Sequence, residues 1–366
     1  MLRKLTFFLL CLLGMSSCFA QETDSVCTPG TWSLSIKMQY GFLMTHRPTI
    51  IYLQQKHTRG LEINYLRGVD GQTSWMTDYN QPLLGFGFQY FNLGNPTELG
   101  NAYSLFPEIM FPLSHHHHLR SMIKFGLGIG YVTKPYDIKE NYKNLAVGSK
   151  LNVAITTGLQ FRIFSSDKLQ IITGADFSHF SNGASNIPNA GINIVTANLG
   201  VNYYFGNPST TICRPVIPAN KKWETSSYIG FGIKDIYPPQ GPKYAVVFNT
   251  TDLLYHATQK SLFGGGFDFI LDQSLKHRLE LDSVFLSNAK AGTRIGIHGS
   301  YGLRVGRVTG VFQTGYYVYN KVTEDGNIFS RLSLRYFLND NYFVCFNLKT
   351  HFAKADYFEF GFGYRF

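Results

Sequence analysis

Stretches of about ten residues in which apolar and polar side chains alternate recur along nearly the whole chain, separated by Gly, Pro, Asn and Asp turn signals. Alternation with period two is the geometry of a β-strand. That length is what a tilted strand needs to cross a bilayer. Eight such segments fall at Ser33–Gly41, Gly60–Arg67, Leu83–Phe91, Tyr103–Pro112, Arg120–Tyr131, Lys150–Phe161, Lys168–Phe180 and Ile192–Phe205. Residues 206–224, "GNPSTTICRPVIPANKKWE", break the pattern and read as a linker. Alternation resumes at Ser226–Lys234, Tyr244–Leu253, Ser261–Leu271, Thr293–Leu303, Val308–Tyr319, Ile328–Tyr336, Tyr342–Phe352 and Asp356–Phe366. Within the second half, "QSLKHRLELDSVFLSNAKAG", residues 273–292, fits either another strand or a short helix.

The first 20 residues read as a signal peptide: Arg3 and Lys4, the apolar run Leu5–Leu13, then "CFA" before Gln21. Cys18 offers a lipoprotein site as the alternative, against which Met15 fits poorly upstream. No later segment has the ~18 consecutive apolar residues of a membrane helix. An exported chain of this kind is either soluble outside the cytoplasm or an outer-membrane barrel. With 31 Phe, 23 Tyr, 36 Gly, only 15% charged residues and a final Phe366, the composition points to a transmembrane antiparallel β-barrel. A soluble β-sandwich is the alternative. The net charge of +10 then finds its acidic neighbours in lipid head groups and not in nucleic acid. Cys27 and Cys213 flank the predicted strands of the first half and can pair in an oxidising compartment.

The halves are alike. "LLGFGF" lies over "LFGGGF" and "NLGVNYYF" over "EFGFGYRF", in the same order, as after a distant tandem duplication. Residues 21–205 then form an eight-stranded barrel and residues 225–366 a degenerate repeat. That repeat is either a second barrel or a continuation to about sixteen strands.

Strand parity assigns the faces. In Lys168–Ser181 and Ile192–Phe205 the odd positions are the more apolar, so the odd face is the lipid face. His179, Ser181 and Asn193 lie on it, at the outer ends of two consecutive strands. Polar groups there cost free energy unless paired or close to the head groups. They stand where an acyl chain would run. A strand end that has merely reached water explains them too, but His and Ser two residues apart share a face, and imidazole can take a hydroxyl proton for attack on an ester.

"HFSNGASNIPNAGIN" followed by "LGVNYYF" resembles the carboxy-terminal signature of the PagL-type lipid A 3-O-deacylases, also described as acyloxyacyl hydrolases. The resemblance implies an eight-stranded outer-membrane barrel ending at the position of Phe205. It implies His179 as general base, Ser181 as nucleophile, and Asn189 as an oxyanion donor beside backbone N–H groups near Gly183 and Ala184. Asn182 follows the nucleophile, where it holds the loop. The chain departs from the family at Asn193, where a glutamate is expected to orient the histidine. An amide still fixes the tautomer but contributes no charge to the imidazolium. The outer-membrane phospholipase A family looks like a precedent for a His-Ser-Asn set. Asp176 is no replacement, since parity aims it into the barrel. The repeat carries no such site: Ala353 stands where a serine is required, and His351 falls on the inward face.

Other motifs point less clearly. "SHHHH", residues 114–118, invites a metal, but adjacent histidines in a periplasmic turn diverge and lie far from the site. The Gly-rich runs lack the Lys-Ser/Thr ending of a phosphate loop. Lys134, Lys139 and Lys143, on a long extracellular segment, either meet lipid A phosphates or are simply solvated. The expected activity is removal of an acyl chain from lipid A in the outer membrane, without metal or organic cofactor, calcium and a homodimer being left open. The alternatives are a phospholipase with the same residues, or a barrel without catalysis that serves as a pore or surface anchor.

Overall fold

The computed structural model describes residues 30–69, 73–113, 120–166, 168–206, 222–281, 288–322, 324–352 and 354–366. Its sixteen strands form two closed antiparallel barrels of eight. The first runs β1 (Trp32–Leu43), β2 (Thr58–Gly68), β3 (Leu83–Asn92), β4 (Asn101–Pro112), β5 (Arg120–Val132), β6 (Leu151–Ser165), β7 (Leu169–Ser181) and β8 (Ile192–Phe205). It closes by pairing β8 with β1, from Trp32 opposite Phe205 to Leu43 opposite Ile194. The second runs β9 (Trp223–Asp235), β10 (Lys243–His256), β11 (Ser261–Asp272), β12 (Thr293–Val305), β13 (Val308–Tyr319), β14 (Ile328–Phe337), β15 (Tyr342–His351) and β16 (Lys354–Arg365). It closes between β16 and β9. The alternative of one sheet of about sixteen strands is thereby excluded. β9 opens at Trp223, two residues inside the stretch read as linker.

Closure removes every sheet edge, and alternation then gives each barrel one filled and one lipid-compatible surface. In β1, Lys37 is 1% exposed while its neighbour Met38 is 75% exposed. The interior of the first barrel is an ion-pair network: Glu62 meets Lys37 at 2.8 Å and Lys124 at 2.7 Å, and Lys124 meets Asp176 at 2.8 Å. Inside the second, His298 bridges Asp252 and Asp268 at 2.7 Å each, and Arg331 spans Asp268 and Glu359. Outward aromatics gather near both ends of the first barrel: Trp32 stacks on Tyr65 at 4.7 Å at one, and Tyr90 lies 5.3 Å from Tyr103 at the other. Among the described residues no helix is long and apolar enough to cross a membrane.

The longer connections lie at one end, the loop end, and mostly short turns at the other. The segment 273–292, left between strand and helix by its pattern, holds helices Gln273–Leu281 and Asn288–Gly292 at the loop end. The signal segment, Cys27, Cys213, most of the linker, the histidine run and Ala353 lie outside the described residues.

The two barrels touch at both ends. At the turn end, Tyr79 Oη donates to Arg304 O at 2.9 Å and Lys260 lies over the Tyr79 ring. At the loop end, Asp235 N–H donates to Ala184 O at 2.8 Å.

Candidate active site

The β7–β8 hairpin reaches the loop end of the first barrel with His179 directly opposite Asn193. Phe180, Ile192 and Ile194 point inward, into an apolar cluster with Phe91, Val132 and Ala154 that fills the barrel beneath its loops. Burying those side chains pins both strand ends, because a one-residue slip would expose the set. Parity then places His179, Ser181 and Asn193 on the outer wall.

They are not open to lipid. Ser181 is 5% and Asn193 7% exposed, and His179 is half-buried. The loop of residues 182–191 folds back over them, held by the neighbouring loop: Gly191 N–H donates to Ala146 O at 2.7 Å, and Asn182 Nδ2 to Ser149 Oγ at 2.9 Å.

Two donors converge on the Ser181 hydroxyl. Asn189 Nδ2 and the Gly183 N–H each stand 3.2 Å from Oγ. Asn189 is itself oriented, since its Oδ1 accepts the Asn182 N–H at 3.1 Å. Asn182 spans the loop, its Nδ2 also donating to Asn186 O at 2.9 Å. Ala184, expected near the oxyanion, has its carbonyl engaged by Asp235.

His179 Nδ1–H donates to Asn193 Oδ1 at 2.6 Å. This leaves Nε2 with its lone pair, the state a base requires. No hydrogen bond joins Ser181 Oγ to the imidazole.

A second histidine completes the set. Asn193 Nδ2 stands 2.8 Å from His46 Nδ1 and donates to it when the His46 proton is on Nε2, so the amide bridges two imidazoles. His46 lies exposed in the loop after β1, where partial desolvation, and then the adjacent Arg47, lower its pKa and favour the neutral form. The sequence signal for it lies in closure: β1 pairs with β8, so a residue just past Leu43 arrives beside the start of β8, and Met44 N–H donates to Asn193 O. Gly191 is the other residue missed. Its φ is +84°, and a β-carbon there would stand 2.7 Å from His179 Cε1.

The remaining candidates lie elsewhere. Asp176 is inside the barrel and is consumed by Lys124, Gln39 and Asn198. His351 is buried in the second barrel, beside Tyr317 Oη and Asp356. Lys134 Nζ donates to Thr97 O, while Lys139 and Lys143 are exposed. Among the described residues no group of three or more His, Cys, Asp or Glu side chains is arranged to hold a metal ion.

Residues 59–202 match the family model described as lipid A 3-O-deacylase (PagL), and residues 223–366 match the one described as acyloxyacyl hydrolase, C-terminal domain. No curated protein matches the chain. Among solved structures, Neisserial surface protein A aligns at 8% identity over 48% of this chain and 97% of its own, with a TM-score of 0.33. A Rhodopseudomonas blastica porin mutant aligns at 9% identity over 92% and 99% of the two chains, with a TM-score of 0.17. Acinetobacter baumannii OccAB4 aligns at 12% identity over 94% and 99%, with a TM-score of 0.22.

Proposed function

The chain belongs to the lipid A 3-O-deacylase (PagL) family, and on that premise we propose that it is an outer-membrane ester hydrolase in which Ser181 removes an acyl chain from lipid A. The observation that carries this reading is the convergence on Ser181 Oγ of two oriented donors, one from Asn189 and one from the Gly183 backbone, beside an imidazole of fixed tautomer.

Outer-membrane barrels keep their longer loops outside, which sets the site at the outer leaflet, where lipid A resides. The sugar ester lies at head-group depth and its acyl chain runs down the outer wall past Phe177 and Val195. His179 Nε2 takes the Ser181 proton as Oγ attacks the ester carbonyl carbon. That contact must close in the substrate complex, as catalytic hydrogen bonds often do. The oxyanion forms beside Oγ, where Asn189 Nδ2 and the Gly183 N–H stabilise it. The carbon–oxygen bond to the sugar then breaks, and His179 returns its proton to the leaving sugar hydroxyl. A water, deprotonated by the same imidazole, attacks the acyl-serine carbonyl carbon; the bond to Oγ breaks, Oγ takes the proton back from His179, and the fatty acid leaves. Asn193 holds the ring throughout. Export by the amino-terminal segment is part of the proposal.

The test is mass spectrometry of lipid A and phospholipids from cells carrying the wild type, Ser181→Ala or His179→Ala, each checked for insertion. Loss of one hydroxyacyl mass from lipid A with the wild type alone is the expected result. A lysophospholipid would instead select the phospholipase reading, which the amide at Asn193 favours. Identical profiles in all three strains would refute hydrolysis and leave a barrel without catalysis.

A further inference from the structure

Building on the hydrolase reading above, we propose that the second barrel, which shows no comparable site among its described residues, is a brace that holds the nucleophile loop of the first in its reactive shape, with Asp235, Lys243 and Phe358 as positioning residues.

Contacts made by these three residues support this. Asp235, buried at the loop end of β9, donates its N–H to Ala184 O at 2.8 Å, and its Oδ2 accepts the Ile187 N–H at 3.2 Å. Lys243, at the start of β10, donates to Asp235 Oδ2 at 2.8 Å, Ser185 O at 2.7 Å and Asn186 Oδ1 at 2.9 Å. Phe358, on the outer face of β16, packs against Gly183 so closely that a β-carbon there would stand 2.4 Å from Cδ2.

The segment so held is the one that carries the donors. Gly183 and Ala184 have φ of +60° and +58°, and Ala184, which has a side chain, is in a conformation that persists only where its surroundings impose it. A continuous path leads from the brace to the hydroxyl. Lys243 binds the Asn186 side chain, Asn186 O accepts from Asn182, Asn182 N–H binds Asn189, and Asn189 donates to Ser181. Phe358 supports the other donor directly, through the backbone of Gly183. A displacement of about 1 Å at such donors is enough to lower a rate steeply.

The contacts at the turn end supply an internal control. Tyr79 Oη to Arg304 O joins the same two barrels far from the loop. A brace requires the loop-end contacts specifically, whereas simple packing of two barrels makes both ends equivalent.

The experiment uses the full chain, refolded into mixed micelles with lipid A, and measures fatty-acid release for wild type, Ser181→Ala, Lys243→Met, Lys243→Arg, Phe358→Ala, Phe358→Leu and Tyr79→Phe. Heat-modifiable migration on gels reports that each barrel has folded, and Lys243, being partly exposed, tests the brace without threatening the core. Lys243→Met and Phe358→Ala should lower kcat about tenfold with little change in KM. Lys243→Arg and Phe358→Leu should recover most of it, and Tyr79→Phe should match the wild type. Wild-type kcat in the folded Lys243→Met and Phe358→Ala variants overturns the brace while leaving the hydrolase standing. So does an equal loss in Tyr79→Phe, or a change confined to KM, which would make Lys243 a substrate contact. Wild type no faster than Ser181→Ala overturns the hydrolase reading and the brace with it.

Discussion

In the proposed mechanism Asn189 has two separable tasks, and one substitution isolates the catalytic one. Its Nδ2 donates to Ser181 Oγ at 3.2 Å, while its Oδ1 accepts the Asn182 N–H at 3.1 Å. Asn189→Asp preserves shape and the acceptor but replaces the donor by an oxygen that repels a developing oxyanion. Asn189→Ala removes both. Removing one side-chain donor from a preorganised oxyanion site costs about 10²–10³-fold in kcat, or about 2.7–4 kcal/mol. The Gly183 N–H remains in each variant, so activity should fall by about that factor and not vanish. The lost loop bond adds a stability cost of about 1 kcal/mol in Asn189→Ala only. The assay is fatty-acid release from lipid A in mixed micelles, with kcat and KM separated, alongside urea unfolding. Equal or greater loss of kcat in Asn189→Asp with native stability is the expected pattern. If folded Asn189→Asp keeps kcat within about threefold of wild type, the donor assignment is wrong and the loop bond was its whole role.

His46 accepts from Asn193 only while neutral, and its pKa lies below the ordinary imidazole value because of partial desolvation and Arg47. As pH falls through that lowered value the bridge breaks, so the acid limb of kcat/KM should reflect protonation of two histidines. In His46→Gln, whose amide oxygen accepts at every pH, the limb should become a one-proton limb, and an unchanged slope counts against the bridge. Gly191→Ala should push the His179 ring aside and lower kcat by about 10²-fold, because its β-carbon would stand 2.7 Å from Cε1. Gly206→Ala, also at positive φ but with nothing within 4 Å, controls for backbone strain and should leave activity intact. Glu62→Gln should cost about 3–5 kcal/mol in urea unfolding, since it strips Lys37 and Lys124 of the carboxylate they share. A loss under about 1 kcal/mol would mean the pair is not a net stabiliser.

The strands were readable because each alternates with period two and has one apolar face, and the structure shifts their ends by only a few residues. Parity also placed His179, Ser181 and Asn193 on the outer wall and Asp176 inside, since side-chain direction in a strand follows from position alone. What parity could not show is the cover: the loop folding over Ser181 depends on Ser149, Ala146 and residues of the other barrel. Closure of the first half after eight strands was legible, but the choice between a second barrel and a continuation stayed open, because the decisive pairings, β1 with β8 and β9 with β16, join segments far apart in sequence. His46 was missed for that reason. Asp235, Lys243 and Phe358 were missed because no local pattern marks which outward residues meet a second closed surface. The segment Gln273–Leu281 stayed ambiguous because its apolar positions suit a strand about as well as a short, weakly amphipathic helix.

An enzyme built on the outside of a barrel meets a constraint that soluble hydrolases escape: each polar group of its site faces hydrocarbon unless something covers it. The interior offers no alternative, since Lys37, Glu62, Lys124 and Asp176 already fill it with paired charge. On the wall, the partners are supplied locally: His179 bonds Asn193, Asn193 bonds His46, and Ser181 receives Asn189 and Gly183. In this setting an amide at position 193 has a physical rationale. A carboxylate there would steady the imidazolium more strongly, but it would be a charge nearly buried against lipid, costly whenever the histidine is neutral. The neutral amide avoids that cost and loses the charge. Its own weakness is that it can point either way, and a flipped amide would present N–H to N–H. His46 counters that ambiguity: with its proton on Nε2 its Nδ1 accepts from Asn193 Nδ2, the pairing that leaves Oδ1 facing His179. The second histidine therefore does for the amide what charge does for a carboxylate: it makes one orientation of His179 the favoured one.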